Sequence, residues 1–68
     1  MPYNEEVMKA DRIYQKEGTV QSELALERAR LKFWEEQLKL DPGNKEVQHS
    51  VKYHRAEVAR LEKDIKLL

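Results

Sequence analysis

The sequence contains no cysteine, and this absence excludes several kinds of protein. Disulfide bonds, thiolate metal sites and cysteine nucleophiles all require that residue. A chain of 68 residues builds only a thin core, and small secreted domains usually reinforce such a core with disulfides. Residues 1–6 have neither a basic region nor an apolar segment, so we expect no secretory signal and a cytoplasmic protein.

Long hydrophobic runs and an excess of either charge are also missing. The longest uninterrupted apolar stretches have two or three residues, whereas a membrane-spanning helix needs roughly 20. Thirteen basic residues balance 13 acidic residues, which removes any general attraction to anionic lipid or phosphate. We therefore expect no membrane contact. Residues 42–68 are mildly basic, with six basic and four acidic side chains.

Glycine and proline are scarce, with two of each, and 38% of the residues are charged, which is typical of a helical protein. The few breaks are therefore informative. Residues 41–44 read Asp-Pro-Gly-Asn, a strong turn signal, and Gly18 followed by Thr19 is a weaker one. Asn4 followed by two glutamates favours a helix start. We predict a single all-α domain, 1–68, with helices over 4–17, 20–40 and 45–67.

Apolar residues of the second and third predicted helices recur at alternating spacings of four and three, the heptad pattern of a coiled coil. The second helix has Val20, Leu24, Glu27, Leu31, Trp34 and Leu38. The third has Val47, Val51, His54, Val58, Leu61, Ile65 and Leu68. When the chain folds at the 41–44 turn, the two series face each other, with Leu31 opposite His54. This agreement predicts an antiparallel, coiled-coil-like helical hairpin.

Charges beside the two heptad series fit that hairpin less well. Arg30 opposite Glu57 is favourable, whereas Arg28 opposite Arg55 is not. Exposed ion pairs contribute only about 0–1 kcal/mol each, so the apolar series outweigh them. The mismatch leaves open an intermolecular pairing that uses the same residues.

A second apolar stripe lies about 200° around the second helix from the heptad series, and something must cover it. Segment 4–17 has a matching stripe. It either turns back at Gly18, reaching Leu26 and Phe33, or continues the second helix. In neither case does segment 4–17 cover Leu40. A partner chain could cover the stripe instead. We predict a homodimer, or a complex with a helical protein. The predicted interface residues are Leu26, Ala29, Phe33, Leu40 and Tyr53.

Glu27 and His54 are the polar members of the two series and lie one layer apart. Such a pair is either an acid–base couple or pH-sensitive latch, or a polar layer that sets the register of the helices. We favour the polar layer, because catalysis needs a third orienting group and a pocket, and a two-helix seam offers no pocket.

No motif supplies catalytic, cofactor-binding or metal-ligating residues. Glu46 and His49 have the Glu-x-x-His spacing of di-iron bundles, but that site needs the motif twice and two further glutamates. Glycine-rich phosphate loops and nucleophile elbows are absent from the sequence. We therefore expect a protein that is not an enzyme, with no cofactor and no small-molecule substrate.

These patterns favour a protein–protein interaction or oligomerisation module that works through the apolar surface of a helical hairpin. The alternative is a small nucleic-acid-associated regulator that uses the basic third helix. Its candidate contacts are Lys45, Lys52, Arg55, Lys63 and Lys66.

Overall fold

The computed structural model describes residues 3–67, and these residues form three helices and no strand. Helix α1 spans Glu5–Glu17, α2 spans Val20–Leu40 and α3 spans Lys45–Lys66. The all-α prediction is confirmed, and each boundary lies within one residue of its predicted position. Within the described part of the chain, no helix is both long and apolar enough to cross a membrane. Leu68, the last residue of the predicted heptad series, lies outside the described residues.

Side chains and one glycine fix the helix ends. At the start of α1, the side-chain oxygen of Asn4 accepts a hydrogen bond from the backbone N–H of Val7 at 3.0 Å. Thr19 and Ser22 exchange hydrogen bonds in a capping box, and the Asn44 carboxamide caps α3. Gly18 ends α1 with φ 63°, a left-handed conformation that glycine adopts without steric cost. The chain therefore turns at Gly18, and α1 does not continue into α2.

Helix α2 is the central element of a thin layer. It packs against α1 on one face and against α3 on another, and in residues 3–67 α1 and α3 do not pack against each other. The molecule measures 38 × 24 × 13 Å. Its smallest dimension is close to the diameter of one helix with its side chains, about 10–12 Å. The fold is therefore a layer one helix thick, with α1 and α3 at its edges.

Most of the described heptad residues lie in the contact between α2 and α3, but Trp34 was predicted there and packs instead against the cluster of Val7, Leu26, Ala29 and Phe33. Leu24, Val58 and Leu61 are buried together, and Val47 and Val51 are buried further towards the 41–44 turn. Ion pairs join early α2 to late α3, and late α2 to the middle of α3, which is the order of an antiparallel pair.

Helix α1 covers the second apolar stripe of α2 within the same chain. Val7 packs against Leu26, Ala29 and Phe33, and all four are buried. The interface prediction is therefore corrected at Leu26, Ala29 and Phe33, because the turn at Gly18 folds α1 back onto them. Leu40 is 79% exposed, since it lies two helical turns beyond Phe33, past the start of α1.

The charges beside the seam pair differently from the sequence-based expectation. Arg28 binds Glu62 at 2.8 Å and Arg55 binds Glu35 at 3.1 Å, so the two arginines expected to repel each other each have an acidic partner. Arg30, expected to face Glu57, binds a glutamate of its own helix instead. Long side chains reach along the helix axis to the next turn, so residues directly opposite need not be partners.

Candidate functional site

A buried carboxylate on α2 organises a polar cluster between the helices. Glu27 is 8% exposed, and each of its oxygens has a partner. Oε2 lies 2.8 Å from Nδ1 of His54 on α3, and Oε1 accepts a hydrogen bond from Nη1 of Arg30 at 2.6 Å. A carboxylate removed from water needs such charge-assisted partners to offset its lost hydration.

Local helix geometry positions two of the three groups. Glu27 and Arg30 are three residues apart on α2, so their side chains are neighbours on the helix surface. His54 comes from the facing helix, one layer from the position opposite Glu27. The structure thus brings the two polar seam residues into direct contact. Sequence reasoning missed Arg30, although its spacing from Glu27 is that of a helical ion pair.

Aromatic side chains connect this cluster to the start of the described chain. Nε1 of Trp34 donates a hydrogen bond to the Tyr3 hydroxyl at 3.2 Å. The Tyr3 ring meets Phe33 edge to face, with the centroids 5.0 Å apart. The Arg30 guanidinium lies 5.9 Å from the Tyr3 ring centroid, which permits a cation–π contact. Tyr3, α2 and α3 are thereby linked through one set of side chains.

The geometry of this cluster suits a structural role better than a catalytic one. Glu27 orients the His54 ring, as the acid of a catalytic dyad would, but the groove found in the structure lies elsewhere. That groove has a volume of about 280 Å³. Leu24, Arg28, Glu62, Ile65 and Lys66 line it. Among residues 3–67, no three or more His, Asp or Glu side chains are grouped so as to hold a metal ion.

Large apolar side chains remain exposed at both ends of the α2–α3 pair. Leu40, at the end of α2, and Leu67, after α3, are each 79% exposed. Tyr53, on α3, is also exposed. Leu40 and Tyr53 were predicted as interface residues, and the structure leaves both accessible. Leu67 was missed, because it falls outside the heptad series.

The groove joins an apolar floor to a charged rim at the end of the pair opposite Leu40. Leu24 and Ile65 provide the floor. On the rim, Arg28 and Glu62 neutralise each other at 2.8 Å, while Lys66 forms no ion pair with any described residue. The rim therefore carries a net positive charge beside an apolar surface.

No protein-family model, no curated protein and no solved structure matches this chain.

Proposed function

We propose that this chain is a non-enzymatic oligomerisation module in which α2 and α3 form a coiled-coil-like hairpin. Its two ends bind successive copies of the same chain. The observation that carries the proposal is the exposure of Leu40, a leucine left 79% accessible at the tip of the hairpin. A small domain that leaves such a side chain in water forgoes about 1.5–3 kcal/mol, which a second chain can recover.

The two ends of the α2–α3 pair have complementary chemistry. At one end, Leu40 is followed by the exposed carboxylate of Asp41. At the other, the groove has a floor of Leu24 and Ile65 and a net positive rim that includes Lys66. The apolar floor and net positive rim of this groove are complementary to an apolar side chain with an acidic neighbour.

This contact differs from the dimer predicted from the sequence. A two-fold dimer centred on Phe33 would have to displace α1, which already covers that side chain. Insertion of Leu40 into the groove of the next copy leaves α1 in place. Because the two surfaces are different, the contact is heterologous and adds copies end to end.

The expected affinity is low. One buried leucine contributes about 1.5–3 kcal/mol, and an exposed pair between Asp41 and Lys66 about 0–1 kcal/mol. These contributions sum to about 1.5–4 kcal/mol, and even the upper limit corresponds to a Kd of only about 1 mM before the cost of lost translational and rotational freedom. Association is therefore expected only at protein concentrations of several millimolar or more.

Sedimentation equilibrium from about 0.5 to 10 mM protein, which reaches the range in which association is expected, tests the proposal. The mean mass of the wild-type chain should rise with concentration, and Leu40→Asp should abolish the rise. Met8→Asp is the matched control, because Met8 is a partly exposed apolar residue on α1, away from both ends. A wild-type chain that stays monomeric at the highest concentration refutes the proposal. Equal loss of association in the Leu40→Asp and Met8→Asp variants refutes it as well.

A further inference from the structure

The outer face of α3 is a lysine stripe. Its seam residues, including Val51 and Leu61, are buried against α2, so the opposite side of the helix points to solvent. At about 100° per residue, the side chains on that opposite side carry no carboxylate. Its lysines are Lys45, Lys52 and Lys63, and all three are exposed. Lys66 lies about 80° to one side of this face, as far from its centre as Glu46 and Asp64 lie on the other side. Ala56 and Ala59 lie between them and allow a partner to approach the helix closely.

The lysines of α3 have no ion-pair partner among residues 3–67, whereas the arginines of α3 do. Arg55 binds Glu35, and Arg60 binds Glu57 at 2.8 Å and Asp64 at 3.2 Å. The hydrogen bond that Arg60 donates to the Glu57 carboxylate raises the pKa of Arg60 above its ordinary value. Lys45, Lys52, Lys63 and Lys66 form no ion pair with any residue from 3 to 67.

The acidic side chains of α3 do not cancel this stripe. Glu57 and Asp64 pair with Arg60, and Glu62 pairs with Arg28. Glu46, the remaining acidic residue of α3, lies about 100° away from Lys45 around the helix. A protein with no net charge thus presents three lysines that have no ion-pair partner among residues 3–67 on one face of α3, a helix whose six basic and four acidic side chains sum to +2.

We propose that this lysine stripe binds the phosphate backbone of duplex nucleic acid without reading its sequence. The stripe extends over about 27 Å from Lys45 to Lys63, most of the roughly 34 Å of one duplex turn. Helix α3 forms an edge of a layer only 13 Å thick, so no other helix obstructs its approach. Lysine acts as a flexible point charge, which suits contacts with phosphate rather than with base edges.

Duplex nucleic acid fits this surface better than a membrane or an acidic protein does. An interfacial membrane helix needs an apolar face to insert, and the apolar face of α3 is already buried against α2. A duplex carries one negative charge per roughly 1.7 Å, a higher linear density than a row of carboxylates on a helix provides.

Fluorescence anisotropy with a labelled mixed-sequence duplex, measured as salt is varied from about 20 to 200 mM, tests the inference. Three phosphate contacts predict a slope of log K against log salt near −2.7. The triple variant Lys45→Gln, Lys52→Gln and Lys63→Gln should reduce the slope to near zero and abolish binding at 200 mM salt. It leaves Lys66, a residue of the groove, unchanged.

The matched control replaces three lysines outside α3, namely Lys9, Lys16 and Lys39, which also lack ion pairs within residues 3–67. This control should keep the wild-type slope. An equal loss of slope in both triple variants, or no duplex binding at the lowest salt, overturns the inference. So does binding to poly-L-glutamate or to anionic vesicles, but not to the duplex, with the same dependence on the α3 lysines. Leu40→Asp should leave duplex binding unchanged, which separates this inference from the proposed self-association.

Discussion

At the scale of single residues, the polar cluster around Glu27 is the most constrained part of the molecule. Its carboxylate is buried, and its two oxygens are committed to His54 and Arg30. Neither partner can replace the other, because one comes from the facing helix and the other from the same helix. Any change at Glu27 therefore affects the register of α2 against α3 as well as a local ion pair.

We expect Glu27→Gln to lower the free energy of unfolding by about 1–3 kcal/mol, because two partly buried partners, Arg30 and His54, lose a charged acceptor. Urea unfolding followed by circular dichroism measures the difference. Glu36→Gln provides the control, since Glu36 is exposed on the same helix and should change stability by less than about 0.5 kcal/mol. Equal stability of the Glu27 variant and the wild type would mean that this cluster contributes nothing net.

Phe33 tests whether α1 covers the second stripe of α2. It is 6% exposed, so Phe33→Ala should cost about 3–5 kcal/mol, whatever the protein concentration. Phe33→Leu, a milder change of about 1.5 kcal/mol, keeps the test usable if the alanine variant does not fold. Thermal unfolding at two concentrations gives the measurement. Dilution that destabilises the wild-type chain as strongly as Phe33→Ala would place Phe33 in an intermolecular interface instead.

At the scale of helices, the ends are set by short-range chemistry and the faces by packing. Helix α1 has a single fully buried side chain, Val7, and depends on α2 for its stability. Its orientation depends in turn on the left-handed turn at Gly18, which reverses the chain before Thr19 begins α2.

Gly18→Ala should therefore destabilise the fold by about 1–2 kcal/mol, because alanine resists a positive φ. The cost arises from the backbone alone, since a Cβ at this position would meet no atom within 4 Å. Gly43→Ala is a close control, as Gly43 has equal space and no positive φ, and it should be neutral or stabilising by about 0.4–1 kcal/mol. If the two alanine variants unfold at the same urea concentration, the Gly18 conformation does not determine where α1 lies.

At the scale of the whole molecule, a layer one helix thick has two separate contact zones on its central helix. The zone between α1 and α2 and the zone between α2 and α3 share α2 but little else. Removing α1 would leave the second zone intact and uncover Leu26, Ala29 and Phe33.

A fragment spanning residues 19–68 should consequently self-associate more strongly than the full chain, through the uncovered stripe. Sedimentation of the fragment at about 0.1 mM should show dimers. Phe33→Glu should dissociate these dimers while α2 and α3 stay helical, and a peptide of residues 1–18 should do the same. A fragment that is helical and monomeric would show that the stripe does not need a cover.

The sequence alone determined the helices, their ends and most of the residues between α2 and α3, because caps, turns and heptad spacing are local signals within a few residues. The exception is Trp34, which packs on the α1 side of α2. It also showed that the second stripe of α2 needs a cover. Only the tertiary structure decided that α1 provides that cover at Phe33 and leaves Leu40 exposed. It likewise decided that Arg30 joins Glu27 and that Arg28 reaches Glu62. The periodicity of a helix indicates which face is apolar, but it does not indicate which segment packs against that face. The ion-pair partners of long side chains depend on how the helices are placed along their axes, which is defined only when the helices are in contact.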